Sequence, residues 1–449
     1  MLFMNPIWLL LGSIAAIILL SSRVKLHTFL VLIVLSAGVG LLAGMKPEQV
    51  MGYIRTGFGE TMGKIGLLIV FGTILGSLLD RTNATLSIAT FLLNRVGQHR
   101  TPLAVTLMGF VIGLPIFCDS GFIVLSGLVI ALIQRLGHSH VRLVLCLAGS
   151  LYGLHCLVPP HPGITAAVGI LNADIGRMIL LGSVLAIPPT VVAYAWAKLA
   201  DSRTEAVTLP ITTAHVAPDA DVAMPSVLLS FLAILIPIAL IAVKPIVLLN
   251  PTTYPAWLTA TVNFAGDPLV ALSVGIAIAL SLFQKLDKAL LNTALEDAIV
   301  KAGPILIIIG AGGAFGEVIK HIGLETYLTG FAQQSGAGRI GANLWLPFLL
   351  TVLFKTAQGS STVAVISVAS LVQPLLGHLG VQTDWDRLLV LAAMGAGSMT
   401  LSHANDAYFW VVSRFGQLDT TVTLRTYSVM SLLMSLTTFL VLLLVQALV

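Results

Sequence analysis

Long apolar runs separated by short polar breaks fill almost the whole chain. Runs free or nearly free of Asp, Glu, Lys and Arg cover 5–22, 26–45, 65–79, 102–134, 143–158, 178–197, 226–243, 268–283, 302–319, 341–377, 388–404 and 427–448. A bilayer crossing needs roughly 20 apolar residues, so about twelve spans and an all-α polytopic membrane protein are expected. Shorter amphipathic pieces near 84–97, 164–174, 285–300, 323–334 and 407–416 are expected to lie at the interface or to form arms. The runs 102–134 and 341–377 are long enough to enter and leave the bilayer. The first is interrupted at Gly113-Leu114-Pro115 and Ser120-Gly121, and the second at Gly359-Ser360-Ser361. Each predicts a re-entrant hairpin of two half-helices.

Composition supports this class. Of 449 residues, 57% are hydrophobic and 9% charged, with a mean hydropathy of +1.00. Soluble domains carry about 25% charged residues. The net charge of +4 comes from short loops without a Lys/Arg run, so no nucleic-acid partner is expected. Cys118, Cys146 and Cys156 lie in apolar segments and show neither metal-ligand spacing nor a disulfide framework. The first twenty residues lack a basic start and a small-residue cleavage site, which predicts a retained first span. Arg23 and Lys25 follow that span and place the N-terminus outside. Residues 199–225 form a long polar stretch, expected to link a half spanning 1–198 to a half spanning 226–449.

The halves repeat. Gly72-x-x-x-Gly76 matches Gly312-x-x-x-Gly316 at an offset of 240, and Asp174 matches Asp419 at 245. Ala148-Gly149-Ser150 with His155 matches Ala396-Gly397-Ser398 with His403 at 248, and the tip around Asp119 falls opposite 354–361. Two inverted structural repeats, each with a hairpin and a broken helix, are therefore expected, with the site at their interface. The glycine pairs are expected to serve close helix packing.

Charged and polar groups inside the apolar runs gather in four places. These are Asp119-Ser120-Gly121, His155 with His161, Lys355 with 356–362, and 402–406. Asp119 is the lone charge in residues 101–134. An acid at membrane depth is costly and points to function. Helix N-termini favour anions. Ser360 reads as an N-cap, so Lys355, Gln358, Gly359, Ser360, Ser361 and Thr362 suit a substrate carboxylate. Ser120, Gly121, His161 and Asn405 complete the candidate binding set, with Asn405 and Asp406 set to read hydroxyls. Asp119, His155, His403 and Asp406 are the candidate proton carriers. Plainer roles compete: capping for Asp406, helix packing for the histidines, and snorkelling to the surface for Lys355.

FCDSGF, VPPHPGITAAVGILNAD, FKTAQGSSTVAVI and GAGSMTLSHANDAYFW resemble the gluconate permease (gluconate:proton symporter) family, and the similarity runs through nearly the whole chain. The resemblance implies a bacterial inner-membrane carrier that imports gluconate or a related hydroxy-acid. It also implies kinship with elevator-type carriers and a proton as coupling ion. Sodium remains an alternative, because Ser, Thr and Asn oxygens could ligate it. Substrates within the family include gluconate, idonate and D-serine, and no residue here separates them.

No cofactor or metal is expected. The expected partners are a small anionic solute, the lipid bilayer and a second copy of the chain in a dimer. An intramembrane enzyme is disfavoured by the absence of His-Glu-x-x-His and Gly-x-Ser-x-Gly. A channel fits broken helices less well than a carrier does, and the lack of a phosphate-binding loop argues against ATP drive.

Overall fold

A computed structural model of the chain describes residues 6–448, apart from 21–23, 25, 98–99, 137–138, 202–223, 249–253, 284–287, 323–341 and 404–405. Among the described residues, all regular structure is helical. This follows from the solvent: in lipid a backbone must satisfy its own polar groups, and an uncharged helix does so. The first half runs α1 (Pro6–Ile18), α2 (Thr28–Leu42), α3 (Pro47–Arg81), α4 (Ala84–Val96), α5 (Thr101–Ile112), α6 (Cys118–Leu136), α7 (His140–Leu157), α8 (Pro162–Leu171), α9 (Ile175–Leu185) and α10 (Ile187–Asp201). The second runs α11 (Val227–Leu248), α12 (Ala256–Ala265), α13 (Pro268–Leu280), α14 (Lys288–Lys320), α15 (Ala342–Gln358), α16 (Ser361–Val372), α17 (Asp384–Ser398), α18 (Ala407–Phe415) and α19 (Thr420–Leu448). Most of the expected linker, and the expected piece at 323–334, fall outside the described residues.

The order of elements repeats. Helices α3, α5, α6, α7 and α8 recur as α14, α15, α16, α17 and α18, with first residues 241, 241, 243, 244 and 245 positions apart. Helices α5 and α6 form hairpin one, and α15 and α16 form hairpin two. Helices α7 and α8 form one broken helix, and α17 and α18 the other. Asp174 and Asp419 play the same part in each half. Asp174 accepts the Arg177 N–H at 2.7 Å, and Asp419 accepts the Thr421 N–H at 2.8 Å, each opening the next helix. The broken helices form the centre: positions 143–154 and 388–400 are all buried. The halves interlock there, because α16 packs on α8 and α18 packs on α6.

Three expectations change. The run 65–79 is the second part of a 35-residue helix, and 285–300 joins 302–319 in a 33-residue helix. Glu48, Arg55, Glu60 and Lys64 sit on exposed positions of α3, so the helix continues through its charged residues. Helix α12 belongs to no run singled out above, although it carries no charged residue. Among the described residues, five helices suffice by length and composition to cross a bilayer, or seven if two bent pairs each count once. The remaining apolar helices run 10–17 residues, and the arms of both hairpins provide several of them.

Helices α3 and α14 cross with their backbones nearly touching. A Cβ added at Gly57 would lie 2.4 Å from the Gly313 carbonyl oxygen, and one at Gly313 would lie 2.0 Å from Thr61 Oγ1. Gly312 and Gly316 seat Ile366 and Ser370 of α16, while Gly72 seats Pro160. The glycine repeats therefore serve close packing. Gly57→Ala should lower thermal stability in detergent by about 1–3 kcal/mol, as overpacking does. Gly59→Ala, with nothing within 4 Å of the new methyl, should be neutral or stabilising. Equal melting points for the two variants would contradict the crossing.

Candidate functional site

All four inner half-helices start at one place. Helices α6, α8, α16 and α18 open at Cys118, Pro162, Ser361 and Ala407, and all four residues line one cavity of about 230 Å³. Local chemistry fixes each start. Ser360 Oγ accepts the Val363 N–H at 3.2 Å, and Asp406 Oδ1 accepts the Tyr408 N–H at 3.1 Å. Pro162 stands at the first position of α8, where its missing N–H is no loss. Gly359 holds φ +87°, a conformation glycine adopts freely, and this turns the chain between α15 and α16. Gly163 brings α8 against α16, since its missing Cβ would meet Thr362 Cα at 3.0 Å. Each helix N-terminus carries about half a positive charge, so four of them supply roughly two.

Two carboxylates face this cavity, and their circumstances differ. Asp406 is 7% exposed and forms an ion pair at 2.6 Å with Lys355, which is 1% exposed. Lys355 also donates to the Gly359 carbonyl. Asp406 further accepts from the Ser402 hydroxyl. Ser402 is itself held, its N–H donating to Ser431 Oγ at 3.0 Å and its carbonyl accepting from Ser428. The pair thus pins the break of hairpin two to the break between α17 and α18. Tyr152 of the first half lies with its ring centre 5.9 Å from the Lys355 ammonium and donates to the Ser398 carbonyl at 3.1 Å. Asp119 sits in the first turn of α6, half-buried on the cavity wall, with no ion-pair partner among the described residues. Since Asp406 and Lys355 cancel, Asp119 is left as the uncompensated side-chain charge on the cavity wall, at the start of α6 itself.

The structure gathers some of the expected residues and separates others. Asp119, His155, Ser360, Ser361, Thr362 and Asp406 share the cavity, so the two tips converge as expected. Lys355 stands behind the lining, engaged by Asp406. Gly359 contributes the carbonyl that holds Lys355. His161 is buried one layer out, its Nε2 2.7 Å from the Gly113 carbonyl and its ring 5.0 Å from that of His155. His403 lies in the break before α18, Nε2 3.3 Å from the Thr356 carbonyl. Gly121 packs against Leu151. Ser120 lines a different pocket, beside Asp80. Gln358 ends α15, with its side chain outside the described residues, and Asn405 also lies outside them.

Tyr152 and Tyr408 were not singled out from the sequence. Their stacked rings lie 5.4 Å apart on the cavity wall, and the Tyr408 hydroxyl donates to the Ala148 carbonyl at 3.2 Å. Tyr152 stands three residues before His155, one helical turn away, and that spacing was the available signal. Phe117 and Ile305 complete the wall and carried no such signal.

The sequence matches the GntP family permease description over residues 4–449. The chain belongs to this permease family. It is 31% identical to a gluconate permease of Pseudomonas aeruginosa, with 95% of this chain and 94% of that protein aligned. It is likewise 31% identical to the Gnt-II system L-idonate transporter of Escherichia coli, covering 96% and 97%. An uncharacterized permease of Haemophilus influenzae is 33% identical over 91% of this chain and 85% of that one. Among solved structures, the YdaH transporter of Alcanivorax borkumensis superposes with a TM-score of 0.67 at 16% identity, covering 93% of this chain and 97% of that one. MtrF of Neisseria gonorrhoeae superposes with a TM-score of 0.64 at 11% identity, covering 95% and 96%. These structures share the fold. The GntP-family chain is thus a multi-pass permease of the bacterial inner membrane and not an enzyme.

Breaking a buried ion pair from one side costs about 3–5 kcal/mol, because a charge is left unpaired. Lys355→Met and Asp406→Asn should each destabilise the purified permease by that order, and the double variant should cost less than the sum. Denaturation in detergent reads this. Additive losses would show that the two groups do not support one another.

Proposed function

We propose that this permease imports a sugar acid of the gluconate type together with a proton. The observation that carries the reading is the meeting of four helix N-termini on one cavity with one uncompensated acid. Roughly two positive charges from the helix ends outweigh the single negative charge of Asp119, so a carboxylate is favoured there. Ser360, Ser361 and Thr362 supply hydroxyls for a polyhydroxylated chain. Relatives named for gluconate and for L-idonate support the same substrate class.

A proton on Asp119 would remove the negative charge nearest the anion. Proton binding and anion binding then favour each other, and such coupling is reciprocal. That linkage is what symport requires. His155, on the same wall, has a buried Nδ1 without a hydrogen-bond partner among the described residues and can serve a substrate hydroxyl or relay the proton. The two hairpins are read as the gates on either side of the site, inverted with respect to the membrane and moving in alternation.

Uptake of labelled gluconate, L-idonate and D-serine into membrane vesicles with imposed pH or sodium gradients tests this. Wild-type vesicles should accumulate a sugar acid when the outside is acidic. Asp119→Asn should lose accumulation yet keep exchange of internal for external substrate. Sodium-driven accumulation indifferent to pH, or wild-type accumulation ratios in Asp119→Asn, would overturn the proton assignment.

A further inference from the structure

Behind the tip of hairpin one lies a second, smaller pocket with a few polar groups in a mainly apolar wall. It has room for about one water-sized particle, roughly 10 Å³. Its walls are α3, α14 and the unwound residues between α5 and α6. Asp80 and Ser77 come from α3, Ser120 from α6, and Lys301 from α14. Asp80 Oδ1 is buried and has no hydrogen-bond partner among the described residues. A buried carboxylate oxygen without a partner is costly, and most such groups in folded proteins are satisfied. The other polar groups at hand are largely committed. Thr73 donates to the Ile69 carbonyl at 2.7 Å and Ser77 to the Ala294 carbonyl at 3.3 Å, while Arg81 pairs with Asp297 next door. Lys301 is exposed at the pocket mouth and lies beyond ion-pair distance of Asp80.

We propose that this pocket is a cation site, in which the Asp80 carboxylate takes a proton or a sodium-sized ion, and that its occupancy fixes the tip of hairpin one. The chemistry shared by both ions is one positive charge on an otherwise unsatisfied oxygen. Ser120 Oγ, Ser77 Oγ and the unwound Pro115 and Ile116 backbone are the neutral oxygens available around a metal ion. Phe117 lines both this pocket and the central cavity, so the tip is the wall between them. Gly76 faces that wall at ordinary contact range, since an added Cβ would lie 3.5 Å from the Pro115 carbonyl oxygen. When the site is empty, Lys301 is the cation that can swing in to replace the ion. The proposal goes beyond the carrier reading, and the site is testable without substrate.

Purified permease is melted in detergent without substrate. One series varies sodium chloride against choline chloride at matched ionic strength, and the other runs from neutral to mildly acidic pH. Sodium or acid should raise the wild-type midpoint, and the one that does so names the ion. Asp80→Asn should abolish the sodium response, and in an Asp119→Asn background, where the other proposed proton acceptor is removed, it should abolish the acid response. Lys301→Gln, at an exposed position, should shift the half-effect to roughly two- to fivefold lower ion concentration, the range expected for a partly exposed charge pair. A wild type that answers neither ion, or an Asp80→Asn variant that answers sodium like wild type or acid like Asp119→Asn, overturns the proposal. If Asp80→Asn does not fold, Lys301→Gln and Ser120→Ala decide: an unshifted half-effect in both overturns it. A failure of gluconate uptake leaves these readouts untouched, so the two readings fail separately.

Discussion

Unwound backbone at membrane depth must find partners inside the protein, and the architecture around the cavity follows from that constraint. The chain breaks in each half at a hairpin tip and in a broken helix. Each break frees amide and carbonyl groups that lipid cannot satisfy. Bringing all four breaks together lets side chains and opposing helices do so. Ser360 and Asp406 cap two of the starts, the Gly359 carbonyl holds Lys355, and the Gly113 carbonyl holds His161. The same convergence aims four amide-rich ends at one volume. The requirement imposed by lipid and the electrostatics of the site therefore have one origin.

The halves share an outline but not their chemistry. His161 and Asp406 precede α8 and α18 at matching positions, 245 residues apart, yet one is a neutral-capable ring and the other a carboxylate bound to Lys355. Phe117 and Ser360 stand before α6 and α16, an apolar ring opposite an N-cap hydroxyl. The repeated order of elements gives matching positions, and these carry a buried ion pair in one half and an uncompensated acid in the other. The ion pair ties the second tip to the break before α18. The first tip, flanked by two pockets that each hold an acid, is the side on which a change of charge has something to act.

Much of this was legible in the residues themselves. Uncharged runs mark helices wherever lipid surrounds them, and Pro, Gly and Ser within such runs mark breaks, so both hairpins were readable. Long helices with charged faces were less so. The charges of 47–64 lie on exposed positions, and a search for uncharged segments stops at them although the helix does not. At the site, Asp119, the 360–362 turn and Asp406 stood out because polar groups in apolar surroundings are rare. Lys355 stood out too, but its partner was hidden, since nothing local links position 355 to position 406. Asp80 lies between Leu79 and Arg81 at the end of a helix, where an acid looks like surface, and only the tertiary fold covers it.

The interlocked packing of the halves has a consequence for synthesis. The start of α6 packs on α18, where Phe122 meets Tyr408 edge-on at 6.1 Å. The end of α18 leaves the ribosome roughly 300 residues after Cys118, which at typical elongation rates is about 15–60 s. Through that interval the first hairpin has its acid in the membrane but lacks the surface it will rest on. The nascent first half must therefore keep a polar tip sheltered, by water, by the insertion machinery or by its own arms, until the far end of the chain arrives. Residues that matter only during this wait would leave no trace in the finished site.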